Sequence, residues 1–405
     1  MGEYSVTTNM RFNNALLVRS TIAVILFLSA NVPGTTHAAE VAAWVPWFAE
    51  ESGAKSALKH IDELDILYPF VYEVSTDADI VNKVDLRDRH WRRLLNEARD
   101  EDVKVIPTIS WFDGDAIHEV LHDDEKRDDH IRDIVRLVKN NDFDGINIDY
   151  ESRLAETIDD YSLFLEELAD ALPRKTVLTC TVEARTPPES LWRDVPKRIE
   201  YSNDYRAINR HCDWIEIMAY DQQRADLKLN DERKGVPYMP VADVEWVEKV
   251  LDLALEDFDN DKVMLGVPTY GRAWDITVAK EWYRDYTPVA TLNHEDVLNI
   301  VQKYGVPIGR TAGGEAVVSY FPEDSVWKIF NQLPTPTGTP LGYEAAAKAL
   351  LVATVAEIEL PVRFVTWSDA AAIADKVELV DKYNLRGTAI FKIDGEEDEE
   401  LWDLF

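Results

Sequence analysis

The sequence predicts an α/β fold, a (β/α)8 TIM barrel with a small α+β insertion after its seventh strand. Three observations predict it. Eight short apolar runs, rich in β-branched and aromatic residues, occupy 41–48, 66–74, 104–111, 145–151, 177–184, 214–220, 262–270 and 387–393. Most are followed by a stretch of helical period; in 158–172 the apolar positions are Ile158, Tyr161, Leu165, Leu168 and Leu172. Continuous apolar strands between amphipathic helices imply a parallel sheet covered on its outer face, and eight such units make a barrel. Finally, seven of the runs fall before residue 271 and the eighth starts near 387, which leaves room for an insertion.

The elements follow in chain order. Residues 1–38 read as a secretory signal: Arg11 and Arg19 form a basic start, 21–32 are apolar, Pro33 and Gly34 break the run, and Thr36 and Ala38 supply small residues at the −3 and −1 positions of a cleavage site. The run falls short of the roughly 20 residues that a spanning helix needs. A secreted or extracytoplasmic location (periplasm or cell envelope) is expected, with no stable membrane insertion after signal cleavage. Barrel strands one to seven span 39–275. The insertion spans 276–364, with a helix at 294–304, a hairpin at 310–321 turning at Gly313 and Gly314, a Pro/Thr/Gly loop at 333–342 and an Ala-rich helix at 343–357. Strand eight and a terminal helix occupy 365–405.

Composition narrows the function. Hydrophobic residues make up 46% and charged residues 29% of the 405, a globular balance. The 43 Lys and Arg stand against 76 Asp and Glu, a formal charge of −33. Such a polyanion repels phosphate, so no nucleic-acid partner is expected, and neutral or cationic ligands suit it. Cys180 and Cys212 allow at most one disulfide. Both lie in or beside strand-like runs, so buried free thiols are the expectation.

The chemistry gathers at 143–151 (FDGINIDYE). Strand side chains alternate, so Asn147, Asp149 and Glu151 share one face and Ile146, Ile148 and Tyr150 the other. The apolar set packs on helices, which turns the polar set into the barrel. Asp149 and Glu151 stand about 7 Å apart at Cα, two strand steps. Two neighbouring carboxyls in a low-dielectric site hold a proton more tightly than either alone, and a protonated acid near neutral pH serves acid-assisted glycosidic cleavage. A calcium loop at Asp257, Asp259 and Asp261 is rejected, because Pro268 stands where its last ligand belongs. No metal and no cofactor is implied.

The segment resembles the D-x-x-D-x-D-x-E signature of family-18 glycoside hydrolases, the group of chitinases and spore-cortex-lytic enzymes. It reads Asp144, Asn147, Asp149, Glu151. Further blocks follow in family order: Met218-Ala219-Tyr220-Asp221 resembles M-x-Y-D, Gly266-Val267-Pro268-Thr269-Tyr270-Gly271-Arg272 resembles G-x-P-x-Y-G-R, and Gly387-Thr388-Ala389-Ile390-Phe391 resembles the last strand. The resemblance implies substrate-assisted retaining hydrolysis of an N-acetylglucosamine-containing polysaccharide or oligosaccharide, chitin or peptidoglycan glycan. Glu151 would protonate the leaving oxygen. The 2-acetamido carbonyl would attack the anomeric carbon, and Asp149 would orient and stabilise the resulting cation. Tyr220 would hydrogen-bond the acetamido group, and Asp221 would help bind the distorted sugar. Tyr270 and Arg272, in the seventh-strand block, join the substrate-binding set.

Two departures stand out. Asn147 replaces the middle Asp; an amide can hydrogen-bond Asp149 but cannot take up a proton, so activity should survive with a shifted acid limb. Phe391 replaces the usual Trp floor with a smaller apolar platform. Trp47, Tyr72, Trp111, Tyr270 and Trp274 are placed near strand ends as candidate stacking faces, with Trp47 and Trp111 assigned to substrate binding. A non-catalytic chitooligosaccharide-binding barrel is the main alternative; such members usually lack the terminal Glu that this chain keeps. A metal-dependent hydrolase using the same acids lacks nearby His ligands.

Overall fold

Parallel pairing runs unbroken around a ring in the computed structural model, which describes residues 39–405; the expected signal, 1–38, lies outside the described residues. The strands in chain order are β1 (Glu40–Pro46), β2 (Ile66–Val74), β3 (Ile80–Asn82), β4 (Lys104–Val105), β5 (Thr108–Trp111), β6 (Gly145–Tyr150), β7 (Val177–Glu183), β8 (Trp214–Met218), β9 (Val263–Pro268), β10 (Tyr270–Ala279), β11 (Trp282–Asn293), β12 (Gly309–Arg310), β13 (Ala316–Tyr320), β14 (Leu360–Trp367) and β15 (Gly387–Phe391). The order β1-β15-β9-β8-β7-β6-β5-β2 closes through β1–β2 pairing into an eight-stranded barrel. All eight expected runs appear in it. Helices cover the outside; Ile158–Ala171 buries Tyr161, Leu165 and Leu168 of the stripe read from its periodicity, together with Phe164, while Ile158 and Leu172 at the two ends are only half-buried.

The barrel has two cores. The outer one lies between strands and helices and contains Ile146, Ile148 and Tyr150 of β6. The inner one fills the ring with Ala42, Trp44, Ile66, Tyr68, Ile106, Trp214, Met264 and Ala389; Trp44 stacks on Tyr68 with ring centroids 4.9 Å apart. At the lower rim, carboxylates take up a backbone donor near the start of neighbouring strands. Asp65, Asp144 and Asp213 each accept, at 2.8 Å, from the N–H of Val41, Val105 and Leu178. Asp144, the first acid of the signature segment, thus ties β6 to β4.

Between β9 and β15 lies a second, antiparallel sheet in the order β11-β10-β14-β13-β12. It begins at Tyr270, ahead of the boundary suggested by sequence, and its last strand ends at Trp367, just past it. The helix His294–Tyr304 and the Gly309–Tyr320 pairing occur where the sequence suggests them. The long β10–β11 hairpin and β14 were not anticipated. Pro268 ends β9, and the apolar run simply continues beyond it, so the change of sheet left no local mark. The Ala-rich helix Glu344–Ala356 buries Ala345, Ala346, Ala349 and Ala353, small side chains that let it lie close on the sheet.

The cysteines correct one expectation: Cys180 and Cys212 form a disulfide, Cα atoms 6.1 Å apart. Cys180 sits on the helix-facing side of β7, opposite Ile215 of β8. The helix Tyr205–His211 ends over that face and delivers Cys212 to it. The bond closes a loop with a sequence separation of 32. Replacing both cysteines by Ala should lower unfolding stability by about 3–4 kcal/mol through the freer unfolded chain. Chemical denaturation of the variant beside the oxidised wild type checks this; coincident midpoints would contradict it.

Candidate active site

The inner face of β6 climbs from the barrel centre to its mouth, and its polar groups meet different surroundings at each step. Asn147 is wholly buried. Its Oδ1 accepts from Thr108 at 3.0 Å and Thr181 at 3.1 Å; its Nδ2 donates to Thr179 at 2.7 Å and Glu216 at 3.0 Å. Those four bonds use its full capacity. The structure therefore corrects two expectations. Asn147 does not hold Asp149, and it has no surface for a substrate; it is a crosspiece of the barrel interior.

Glu216, on the inward face of β8, was not singled out by sequence as part of this network. It is fully buried and accepts from the Tyr68 hydroxyl and from Asn147, while Trp214 Nε1 donates to Tyr68 at 2.9 Å. Burial pushes its carboxyl up to about 7, against the hydrogen bonds that favour the anion. Its signal was its parity with Tyr220.

Asp149, one step-pair above Asn147, is buried, and its Oδ1 lacks a hydrogen-bond partner among the described residues. Its carboxyl is held well above the ordinary range, first by burial and then by the charges of Glu151 and Glu183. Glu151 is half-buried at the mouth, and burial followed by Glu183 pushes it up to about 7. Immediately beyond, the chain turns through Ser152 at φ 58°. That left-handed residue places its carbonyl against Gly114, where an added Cβ would lie 2.2 Å from the oxygen. Only glycine fits there.

The opposite wall comes from β8, β10 and β15. Tyr220 is half-buried and stacks on Phe391 with centroids 5.6 Å apart. Phe391 also meets Trp44, Phe70 and Tyr270 edge-on, so it floors the cleft as an apolar platform. Asp221 accepts from Tyr270 at 3.0 Å and from Arg272 Nη2 at 2.6 Å, and Arg272 Nη1 reaches Thr291 of β11 at 2.8 Å. A cavity of about 550 Å³ opens here, lined by Asp221, Tyr270, Arg272 and Phe391 together with Phe48 and Lys392, which the sequence reading missed.

The aromatic expectations divide. Trp47 is 37% exposed on the turn after β1, with Lys83 Nζ 4.6 Å from its ring centre. Trp111 is corrected. β5 pairs with β6 so that Thr108 and Ser110 lie beside Asn147 and Asp149, and Trp111 lies beside Tyr150. It therefore faces the helices, 1% exposed, with its ring 5.3 Å from Tyr150 and 5.4 Å from His130. Tyr72 joins the same outer core, and Trp274 packs in the core of the second sheet. None of these three offers a face to the cleft.

Comparison with known proteins agrees with this geometry. The family profile described as glycosyl hydrolases family 18 matches residues 44–396. The putative sporulation-specific glycosylase YdhD of Bacillus subtilis is 25% identical over 246 residues, 60% of this chain and 53% of that protein. The cortical fragment-lytic enzyme of Bacillus anthracis is 24% identical over 216 residues, 53% of this chain and 46% of that one. The chain thus spans about half the length of the curated relatives it matches. Among solved structures, the spore cortex-lytic enzyme SleL of Bacillus cereus superposes with a TM-score of 0.66 at 20% identity, covering 92% of this chain and 74% of that one. A chitinase from Chromobacterium violaceum does so at 0.65 and 21% identity, covering 91% and 98%. The profile covers most of the sequence and includes every block that builds the cleft, so the chain belongs to glycosyl hydrolase family 18.

Proposed function

We propose that this protein is a retaining glycosidase that cleaves β-linked N-acetylglucosamine-containing polysaccharide, chitin or peptidoglycan glycan, by substrate assistance. One observation carries the reading: two carboxyls, Asp149 and Glu151, stand together at the barrel mouth, both with raised proton affinity, facing a tyrosine stacked on an apolar floor. In this reading a sugar ring lies over Phe391. Glu151, protonated at rest, gives its proton to the glycosidic oxygen as the bond to the anomeric carbon breaks. The acetamido oxygen closes onto that carbon, which develops a cation. Asp149 is the fixed anion for that cation, and the Tyr220 hydroxyl donates to the acetamido oxygen. Water then gives a proton back to Glu151 and opens the ring with net retention. Asp221, held by Tyr270 and Arg272, fixes the distorted sugar. Names among the relatives, cortex-lytic and chitinase, support this polymer class. Action outside the cytoplasm is part of the proposal, supported by the leader pattern and by the buried disulfide.

Glu151→Gln should reduce turnover of chitooligosaccharides or glycan strands by about 100-fold or more while leaving binding within a few fold. Product release assayed beside calorimetric binding checks this, and wild-type turnover would end the assignment. The pH dependence has a definite sign. The acid must be protonated, so kcat/KM should fall as the pH rises through about 7, the value set by burial and Glu183. An alkaline limb well away from neutrality would disagree. A thiazoline mimic of the cyclic intermediate should inhibit far more tightly than the parent sugar; failure to inhibit alongside undiminished hydrolysis would rule out substrate assistance.

A further inference from the structure

Glu183 ends β7 on the same inward face as Thr179 and Thr181. β6 and β7 pair with Ile148 opposite Cys180, and this register, carried onward, sets Glu183 beside Glu151. Two carboxyls thus stand side by side across a parallel ladder, a destabilising arrangement unless one of them is held as the anion. The donors converge on Glu183. The Ser152 N–H reaches it at 3.3 Å, Asn203 Nδ2 at 3.0 Å, and the Arg153 guanidinium at 3.5 Å. Arg153 is fully enclosed. It lies 4.1 Å over the Tyr161 ring, donates to Asn203 Oδ1, and keeps Nε and Nη1 without partners among the described residues. A buried cation with unmet donors is tolerable only against a fixed anion, and Glu183 is that anion. Asn203 is anchored in turn by Arg185 at 3.0 Å, whose guanidinium is sandwiched between Tyr201 and Tyr205 at 3.7 and 4.0 Å.

We propose that Glu183, locked by Arg153 and Asn203, is a positioning residue that keeps the proton on Glu151, an inference that rests on the glycosidase reading above. The groups facing Glu151 are Asp149 on its own strand, Glu183 on β7, Arg153 beyond the turn, and Tyr220 and Asp221 after β8. After burial, Glu183 raises its proton affinity most, ahead of Asp221, and Arg153 opposes both. Asn147 holds no charge, so the lateral neighbour adds to the one like charge, Asp149, that the strand itself carries.

The signs follow from Coulomb's law. Glu183→Gln removes the like charge and frees the Arg153 cation to act on Glu151. Both effects favour the ionised acid, so the alkaline limb of kcat/KM should move down by about one pH unit, and Glu183→Asp should restore it. Arg153→Met should move the limb upward. Thermal melts confirm folding; if Arg153→Met does not fold, the two Glu183 variants decide. A limb unmoved in folded Glu183→Gln overturns the proposal, as does movement of both variants in one direction, because a structural role alone would lower rates without opposite shifts. Glu151→Gln separates the two readings. If it is inactive while the Glu183→Gln limb stays fixed, only the role of Glu183 fails. If it stays active, the glycosidase reading fails and this one with it.

Discussion

A closed barrel admits an acidic inner strand only if each polar group on it is met at its own height, and β6 shows how this is done. Asp144 at the lower rim spends its charge on a backbone donor of β4. Asn147, in the driest layer, is neutral and fully bonded. Asp149 is buried with one oxygen unmatched, and Glu151 reaches the open mouth. The capacity of the surroundings to stabilise charge is thus complete at the centre and deficient at Asp149 and Glu151. Two neighbouring carboxyls denied partners hold one proton between them, which leaves the other charged. The reactive chemistry follows from where solvation runs out along one strand.

The ring of strands was legible because barrel strands are apolar on both faces, so they read as runs bounded by helical periodicity. Parity alone also placed Asp149 and Glu151 inward. The same parity misleads at Trp111. Nothing local distinguishes the two faces of Thr108–Trp111 until β5 is registered against β6, and that register is a tertiary fact. The disulfide depends on where the helix Tyr205–His211 lands. The neighbourhood of Glu183 depends on the offset between β6 and β7. Asn147 was legible as a polar residue in the signature, but its partners sit on β5, β7 and β8, so its saturation was not. Local pattern specifies which residues turn inward; only pairing specifies whom they meet.

The formal charge of −33 does not explain the raised proton affinity at the mouth. Charges on the surface are screened within about 8 Å at physiological salt, whereas Glu151, Glu183 and Glu216 act on Asp149 through the barrel interior. Cations are spent locally to organise the walls. Arg272 joins Asp221 to β11 of the second sheet, and Lys392 reaches Asn293 of β11 at 2.9 Å while meeting Asp394. Each pairing spans two elements, so the cleft is braced by charge at the points where its walls meet.

The second sheet is bound to the barrel by something stronger than surface pairs. Glu315, in the turn between β12 and β13, is fully buried and accepts from the N–H groups of Val241 at 3.0 Å and Ala242 at 2.9 Å. Burial raises its carboxyl to about 6, opposed by the buried ammonium of Lys376. The next residue along, Asp243, donates its N–H to Gln222 at 2.8 Å, directly after Asp221. Gly313 lies against the Asp243 carboxyl, where an added Cβ would come within 2.2 Å. The tip of the insertion is therefore seated in the loop that carries Tyr220 and Asp221. Swinging the second sheet away would strip a buried carboxylate of its donors, a cost of the order of several kcal/mol. The second sheet is consequently fixed against the loop that carries Tyr220 and Asp221 by buried polar contacts and not by surface pairs alone.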